Sequence, residues 1–205
     1  MIHHRSSSTN SHSATRRHFL KTGSAAAMAT GVGLARSAHA AGSDEIRIAL
    51  VGCGGRGTGA AVNALNAQPN VKLVALADAF GERIERARKS LLTRFDKRRV
   101  AVATDHQFVG LDAYKQALAA DIDMVLLCTP PGFRPAQFQA AVGAGKHVFM
   151  EKPLAVDAPG YHKIREANEM AKKKGLLVAV GHHLRHEKKH TEVIQRIHDG
   201  AIGDV

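Results

Sequence analysis

The chain has 205 residues, room for one core of ordinary size plus appendages. Its 29 Lys and Arg against 18 Asp and Glu give a formal charge of +11, but the first 40 residues hold five of the basic groups and no acid, which leaves 24 against 18, or +6, for the remainder. Aromatic residues make up 4% of the chain and Trp is absent, so the stacking platforms of single-strand binders are missing and a modest basic excess alone does not make a nucleic-acid partner.

The first segment reads as an address. Thr15-Arg16-Arg17-His18-Phe19-Leu20-Lys21 fits the twin-arginine export pattern at every specified place, a mild Ala/Gly-rich apolar run follows from Thr22 to Ala35, and Ala38-His39-Ala40 offers a small-x-small cleavage site. The run is too short and too weakly apolar for a membrane span, which needs about 20 residues. The expectation is a signal over 1–40, a twin-arginine translocase as partner, a periplasmic or other extracytoplasmic destination, and no stable span after cleavage. That route carries proteins already folded in the cytosol, where a dinucleotide cofactor is made. Folding there also favours free thiols at Cys53 and Cys128, and no C-x-x-C pattern argues otherwise.

From Glu45 onward, β-branched and aliphatic runs alternate with segments of helical period, the pattern of a parallel sheet covered by helices. Strand Ile46 to Val51 is followed by a helix from Gly55 to Ala67, then strand Val71 to Ala77. Ile84, Ala87, Leu91 and Leu92 make one apolar helix face. Val100 to Ala103 reads as a weak strand and Asp112 to Ala119 as a short helix, with helix capping accounting for Asp112 and core packing for Tyr114. Ile122 to Cys128 is a buried strand, Pro135 to Val142 a helix, and His147 to Met150 a strand. A helix from Ala158 to Lys174 stops at Gly175, and Leu176 to Val180 completes the sheet. A last helix, Thr191 to His198, is expected to turn Val193, Ile194 and Ile197 inward. The fold class is therefore α/β, a doubly wound, mostly parallel Rossmann sheet over 41–181, with 182–205 as a connecting segment.

Directly after the first strand, Gly52-Cys53-Gly54-Gly55-Arg56-Gly57 contains G-x-G-x-x-G at the start of the first helix. In that context Gly52 permits the tight turn, Gly54 lets a pyrophosphate approach the backbone, and Gly57 lets helix and strand pack closely. Amides at the helix start face the phosphates. Asp78 ends the second strand, where a carboxylate accepts hydrogen bonds from ribose hydroxyls. Its charge opposes a 2′-phosphate at close range, whereas the arginines from Arg83 to Arg99 act diffusely from a solvated helix face. NAD is the expected cofactor, with NADP possible.

Cys128-Thr129-Pro130-Pro131, together with Gly145-Lys146-His147-Val148-Phe149-Met150-Glu151-Lys152-Pro153 and the closing Gly200-Ala201-Ile202-Gly203-Asp204-Val205, resembles the Gfo/Idh/MocA oxidoreductases over all of the chain after the signal. The resemblance implies that Thr129 and Pro130 border the nicotinamide ribose. It implies that Lys152 stands at the reacting carbon of a small carbohydrate substrate, that Glu151 either orients it or contacts the cofactor, and that a cis peptide precedes Pro153. Chemically, an ammonium at the mouth of a cleft suits hydride transfer because it polarises or protonates the substrate oxygen. Read without the resemblance, Glu151-Lys152 is a surface ion pair worth about 0–1 kcal/mol. The cofactor contacts are thus expected at Gly52, Cys53, Gly54, Arg56, Gly57, Asp78, Thr129, Pro130, Glu151 and Pro153.

His182, His183, His186 and His190 invite a metal reading, but the stretch begins as a loop after a strand and no carboxylate or cysteine completes a ligand set, so none is expected. The resemblance instead places His182 or Arg185 against substrate or nicotinamide. It also implies a second, mostly antiparallel α+β domain that supplies substrate contacts and a homo-oligomer interface, and the chain ends where that domain would begin. The leading expectation is the amino-terminal half of a sugar or polyol oxidoreductase, inactive by itself. The alternatives are an exported NAD-dependent glycosidase of the same superfamily and a non-catalytic dinucleotide-binding module.

Overall fold

The computed structural model describes residues 44–204; the expected signal, with Arg16 and Arg17, lies outside them. Elements follow in the order β1 (Ile46–Val51), α1 (Gly55–Ala67), β2 (Val71–Asp78), α2 (Gly81–Leu92), β3 (Gln107–Val109), α3 (Ala113–Ala119), β4 (Met124–Leu127), α4 (Arg134–Gly143), β5 (His147–Met150), α5 (Ala158–Lys173), β6 (Val178–Val180) and α6 (Lys188–His198). The six strands form one sheet in the order β3-β2-β1-β4-β5-β6, and every pairing is parallel. This is the doubly wound order, in which the chain reverses direction of travel across the sheet between β1 and β4.

Strand residues alternate between two cores. Ile48, Leu50, Leu73, Leu76 and Leu126 pack with Ala61, Leu65, Ile84, Ala87 and Leu91 of α1 and α2. Ala49, Val51, Ala75, Ala77, Val125, Leu127, Val148 and Met150 pack on the other face with residues of α3, α4 and α5, among them Phe138, Val142, Ile164 and Ala171. Burial on both faces explains why these strands read as near-continuous apolar runs. A register shift between Ile48 and Ala49 changes the pairing of β1 with β2. Local signals set the helix ends: Asp157 caps α5 by accepting from the Gly160 N–H at 2.7 Å, and Gly175, at φ +66°, turns the chain after it. The Arg99 guanidinium satisfies the carbonyls of Val71 and Gln68, each at 2.9 Å, and that of Leu65 at the end of α1, where a cation opposes the negative end of the helix dipole.

Three expectations need correction. The third strand is Gln107–Val109, not Val100 to Ala103, of which Val100 makes a single bridge to Leu73 before a 3-10 turn at Thr104–His106. An edge strand with half-buried Gln107 and Phe108 and exposed Val109 carries no apolar run to mark it; pairing to Leu76–Asp78 defines it. The last helix begins at Lys188, and Val193 and Ile194 are exposed, with Ile197 half-buried, because α6 packs mainly on the 3-10 turn before it rather than on the sheet. Asp112 does not cap α3 with its side chain; it pairs with Lys115 at 2.9 Å.

The tightest fit lies where α1 meets the sheet. A Cβ at Gly57 would come to 1.8 Å from the Gly52 carbonyl oxygen and 3.2 Å from the Cys128 Cβ. Neither the backbone of Gly52 nor a buried strand end can yield cheaply. Gly57→Ala is expected to cost about 2–4 kcal/mol of stability, read as a lower denaturation midpoint in urea with an unchanged slope.

Candidate dinucleotide and hydride-transfer site

At the carboxyl ends of β1 and β4 the connecting loops diverge and leave a cleft of about 980 Å³, a size and a place suited to a nucleotide. Gly52 forms its floor. Its φ is +94°, and a Cβ there would stand 2.7 Å from both the Cys128 carbonyl carbon and the Thr129 nitrogen, so both conformation and space require glycine. Gly54 differs. A Cβ at Gly54 would meet only the Arg83 guanidinium, at 3.9 Å, so the space in front of it belongs to the cleft. Gly54 is also the N-cap of α1 and offers no side chain to the first-turn amides, which leaves them for a phosphate. Asp78, 8% exposed at the end of β2, accepts from the Cys53 N–H at 2.6 Å and the Phe80 N–H at 3.0 Å.

The opposite end is built around the segment after β5. Glu151 is 6% exposed, and its Oε1 accepts from Arg56 Nε at 2.8 Å and lies 2.5 Å from Arg56 Nη2. Gly181 closes over the same carboxylate: a Cβ there would stand 2.9 Å from both oxygens. The peptide between Lys152 and Pro153 is cis, as the resemblance implied. Arg134, on the first turn of α4, donates through Nη1 to the Pro153 carbonyl. Thr129 Oγ1 donates to Gln137 Oε1, which ties the loop after β4 to α4. Lys152, between the two held residues, is exposed on the cleft wall, and its ammonium has no hydrogen-bond or ion-pair partner among the described residues.

Electrostatics sort these groups. The hydrogen bond that Arg56 donates to Glu151 raises the Arg56 pKa, whereas burial lowers that of Arg134. Burial, followed by the Asp78 charge, pushes the Cys53 thiol up to about 12. Burial and then the Glu151 charge do the same to Cys128, again to about 12. Both cysteines are free and stay protonated at neutral pH, which removes them as thiolate nucleophiles.

Of the residues expected at the site, Gly52, Gly54, Arg56, Asp78, Thr129, Pro130, Glu151 and Lys152 line the cleft. Gly57 is buried in the helix–strand contact, Cys53 lies behind the loop, and Pro153 is outside the lining. From the histidine-rich stretch, His183 reaches the cleft, while His182 and Arg185 are exposed outside its lining. A 3-10 turn over His183–His186 sets that difference, and it keeps His182, His186 and His190 off a common α-helix. Among the described residues no group of three or more His, Cys, Asp or Glu is placed to hold a metal ion. Sequence reasoning missed Arg134 and Gln137, which are buried on α4 and line the cleft; Tyr114 packs against the core, as expected, and also lines the cleft. An Arg-Pro pair before an apolar helix resembles any helix start, so the only available signal was that Arg134 follows the Thr-Pro turn so closely.

The oxidoreductase family with an NAD-binding Rossmann fold, Gfo/Idh/MocA, matches residues 46–182. An inositol 2-dehydrogenase of Saccharopolyspora erythraea is 31% identical over 159 residues, which is 78% of this chain and 43% of that protein. A glycosyl hydrolase family 109 protein of Streptomyces coelicolor is 27% identical over 175 residues, 85% of this chain and 34% of that one. The crystal structure of scyllo-inositol dehydrogenase from Lactobacillus casei with bound NAD(H) and scyllo-inositol superposes with a TM-score of 0.62 at 29% identity, covering 78% of this chain and 43% of that one. The chain thus spans less than half the length of these relatives.

The open front of Gly54 separates binding from folding. Gly54→Val is expected to leave the melting temperature within a few degrees of wild type while weakening NAD(H) by about 100-fold or more, since it removes backbone approach to the phosphates; calorimetry with NAD and NADP on the same sample reads both. Unchanged affinity for both would place the pyrophosphate elsewhere. The matched span, the strand order and the glycine loop converge on one conclusion: the chain belongs to the Gfo/Idh/MocA oxidoreductase family, as its NAD-binding Rossmann domain.

Proposed function

We propose that this domain holds NAD(H) along the cleft between β1 and β4, with the adenosine ribose at Asp78 and the nicotinamide at Lys152, and that the whole protein transfers hydride between that cofactor and a sugar, polyol or related carbohydrate. The observation that carries the reading is the placement of the Lys152 ammonium, exposed and without a partner among the described residues, on the wall of a cleft whose other parts are a glycine loop with open amides and a ribose-side carboxylate. A nicotinamide cofactor supplies the hydride acceptor or donor when bound. The chain's own residues do the rest. The loop amides bind the diphosphate, Asp78 orients the ribose, and Lys152 polarises the reacting oxygen or passes it a proton. Hydride transfer also needs substrate held at near-attack distance, about 3–3.5 Å, and we assign that task to a further domain of the kind the relatives' greater length accommodates.

The test is to follow NADH at 340 nm with the full gene product, offering inositols, aldoses and other polyols with NAD and with NADP. Net reduction of NAD is expected, and Lys152→Ala is expected to lower turnover by about 100-fold to 10,000-fold with cofactor affinity nearly unchanged. A Lys152→Ala variant that keeps full activity would leave a dinucleotide-binding module in which Lys152 has no chemical role. The resemblance to a glycosyl hydrolase family 109 protein supports a second reading, in which the same cofactor site oxidises its substrate only transiently. Release of nitrophenol from nitrophenyl glycosides without accumulation of NADH would select it.

We also propose export of the folded protein by the twin-arginine translocase, on the complete motif around Arg16 and Arg17. Replacing both by Lys is expected to hold the precursor in the cytoplasm, seen by fractionation and immunoblot. Undiminished export of the double variant would assign the signal to another route.

A further inference from the structure

Arg134 is a buried charge that the reading above does not use. It is 5% exposed, lines the cleft, and donates through Nη1 to the Pro153 carbonyl, while its Nε has no partner. No carboxylate pairs with it within ion-pair distance among the described residues. The acidic group whose field reaches it is Glu151, and Glu151 is already engaged by Arg56. Burial pulls its pKa down, but a guanidinium stays protonated in proteins. The neighbouring groups do not compensate it. Cys128 is a protonated thiol, with its pKa pushed up to about 12, Lys152 is a second cation on the same wall, and Thr129 and Gln137 are neutral and bonded to each other. Counting Arg56, Glu151, Arg134 and Lys152 together, this end of the cleft carries an excess of two positive charges.

With the adenosine end fixed by Asp78 and the diphosphate by the glycine loop, the nicotinamide falls at this end. Oxidised nicotinamide carries a positive charge and the dihydronicotinamide is neutral; ribose and diphosphate are common to both. We propose that Arg134 is a specificity-determining residue for the redox state of the cofactor: its fixed, unpaired charge makes the site bind NADH in preference to NAD. The inference rests on the cofactor placement proposed above. Charges at a buried position are weakly screened, so the bias does not depend on ionic strength as a surface effect would. Its chemical consequence follows by linkage: on the enzyme the equilibrium shifts toward hydride-loaded cofactor, so bound NAD is a stronger oxidant of an alcohol and the NADH formed is held more tightly.

The experiment measures dissociation constants for NADH by fluorescence titration, for NAD by competition, and for ADP-ribose, which lacks the nicotinamide, by calorimetry. Wild type is expected to bind NADH at least about tenfold more tightly than NAD. In Arg134→Met that ratio is expected to fall by about threefold or more, with ADP-ribose affinity unchanged, and Arg134→Lys is expected to retain most of the wild-type ratio. Equal affinities of wild type for NADH and NAD would overturn the proposal without any variant. So would an unchanged ratio in a folded Arg134→Met, or an equal loss of ADP-ribose binding, which would make Arg134 a structural prop. Failure of wild type to bind ADP-ribose would instead refute the cofactor placement itself.

Discussion

The carboxylate of Asp78 joins the two strands on which the site stands. Its Oδ2 accepts from the Cys53 N–H at 2.6 Å and its Oδ1 from the Phe80 N–H at 3.0 Å, so one buried side chain at the end of β2 holds both the glycine loop and the turn into α2. A charge buried to this degree survives only because it is hydrogen-bonded, and the bonds to it are of the stronger, charge-assisted kind. The loop it holds cannot relax in the other direction, since Gly57 rests on the Gly52 carbonyl and Gly52 rests on the backbone of Cys128 and Thr129. Position, rather than composition, suits this loop to a phosphate. Packing and a carboxylate fix the backbone on its inner side, and before Gly54 on its outer side a Cβ would meet only the Arg83 guanidinium.

A second constraint organises the reactive end. The residues on either side of Lys152 are each held by an arginine from a different element, Glu151 by Arg56 of α1 and the Pro153 carbonyl by Arg134 of α4. The arginines differ in consequence. Arg56 meets a buried carboxylate, so its charge is largely neutralised where it lies, and the ion pair links the glycine loop to the segment after β5. Arg134 meets only a carbonyl, so its charge remains as a field in the cleft. Lys152 is thereby fixed in the backbone yet free in the side chain, an arrangement that lets an ammonium reach a substrate oxygen without a competing ion-pair partner.

The strands of this sheet were legible because they are buried on both faces. Runs such as Ile48 to Val51 and Met124 to Leu127 have no polar alternation to confuse them with surface strands, and the helices between them carry a single apolar stripe. The glycine spacing was legible for a related reason: Gly52 and Gly57 each answer a backbone demand that no other residue meets, while Gly54 leaves the front of the loop uncovered. Failures fall where local pattern is weak. β3 is an edge strand defined by its partner, and α6 has an amphipathic sequence but no sheet to cover its apolar face, so inward-facing residues turned out exposed.

Sequence alone therefore determined the α/β alternation and the position of the first loop, since periodicity and glycine requirements are properties of neighbouring residues, while the candidate lysine came from the resemblance. Only the tertiary structure decided which charges meet. Arg56 and Glu151 are separated by 95 residues, and Arg134 and Pro153 by 19, and no local pattern records either contact. His183 rather than His182 reaches the cleft because a 3-10 turn, not an α-helix, follows β6. Whether an arginine is neutralised or left as an unpaired charge depends on the burial and distance of its partners, and folding alone sets both.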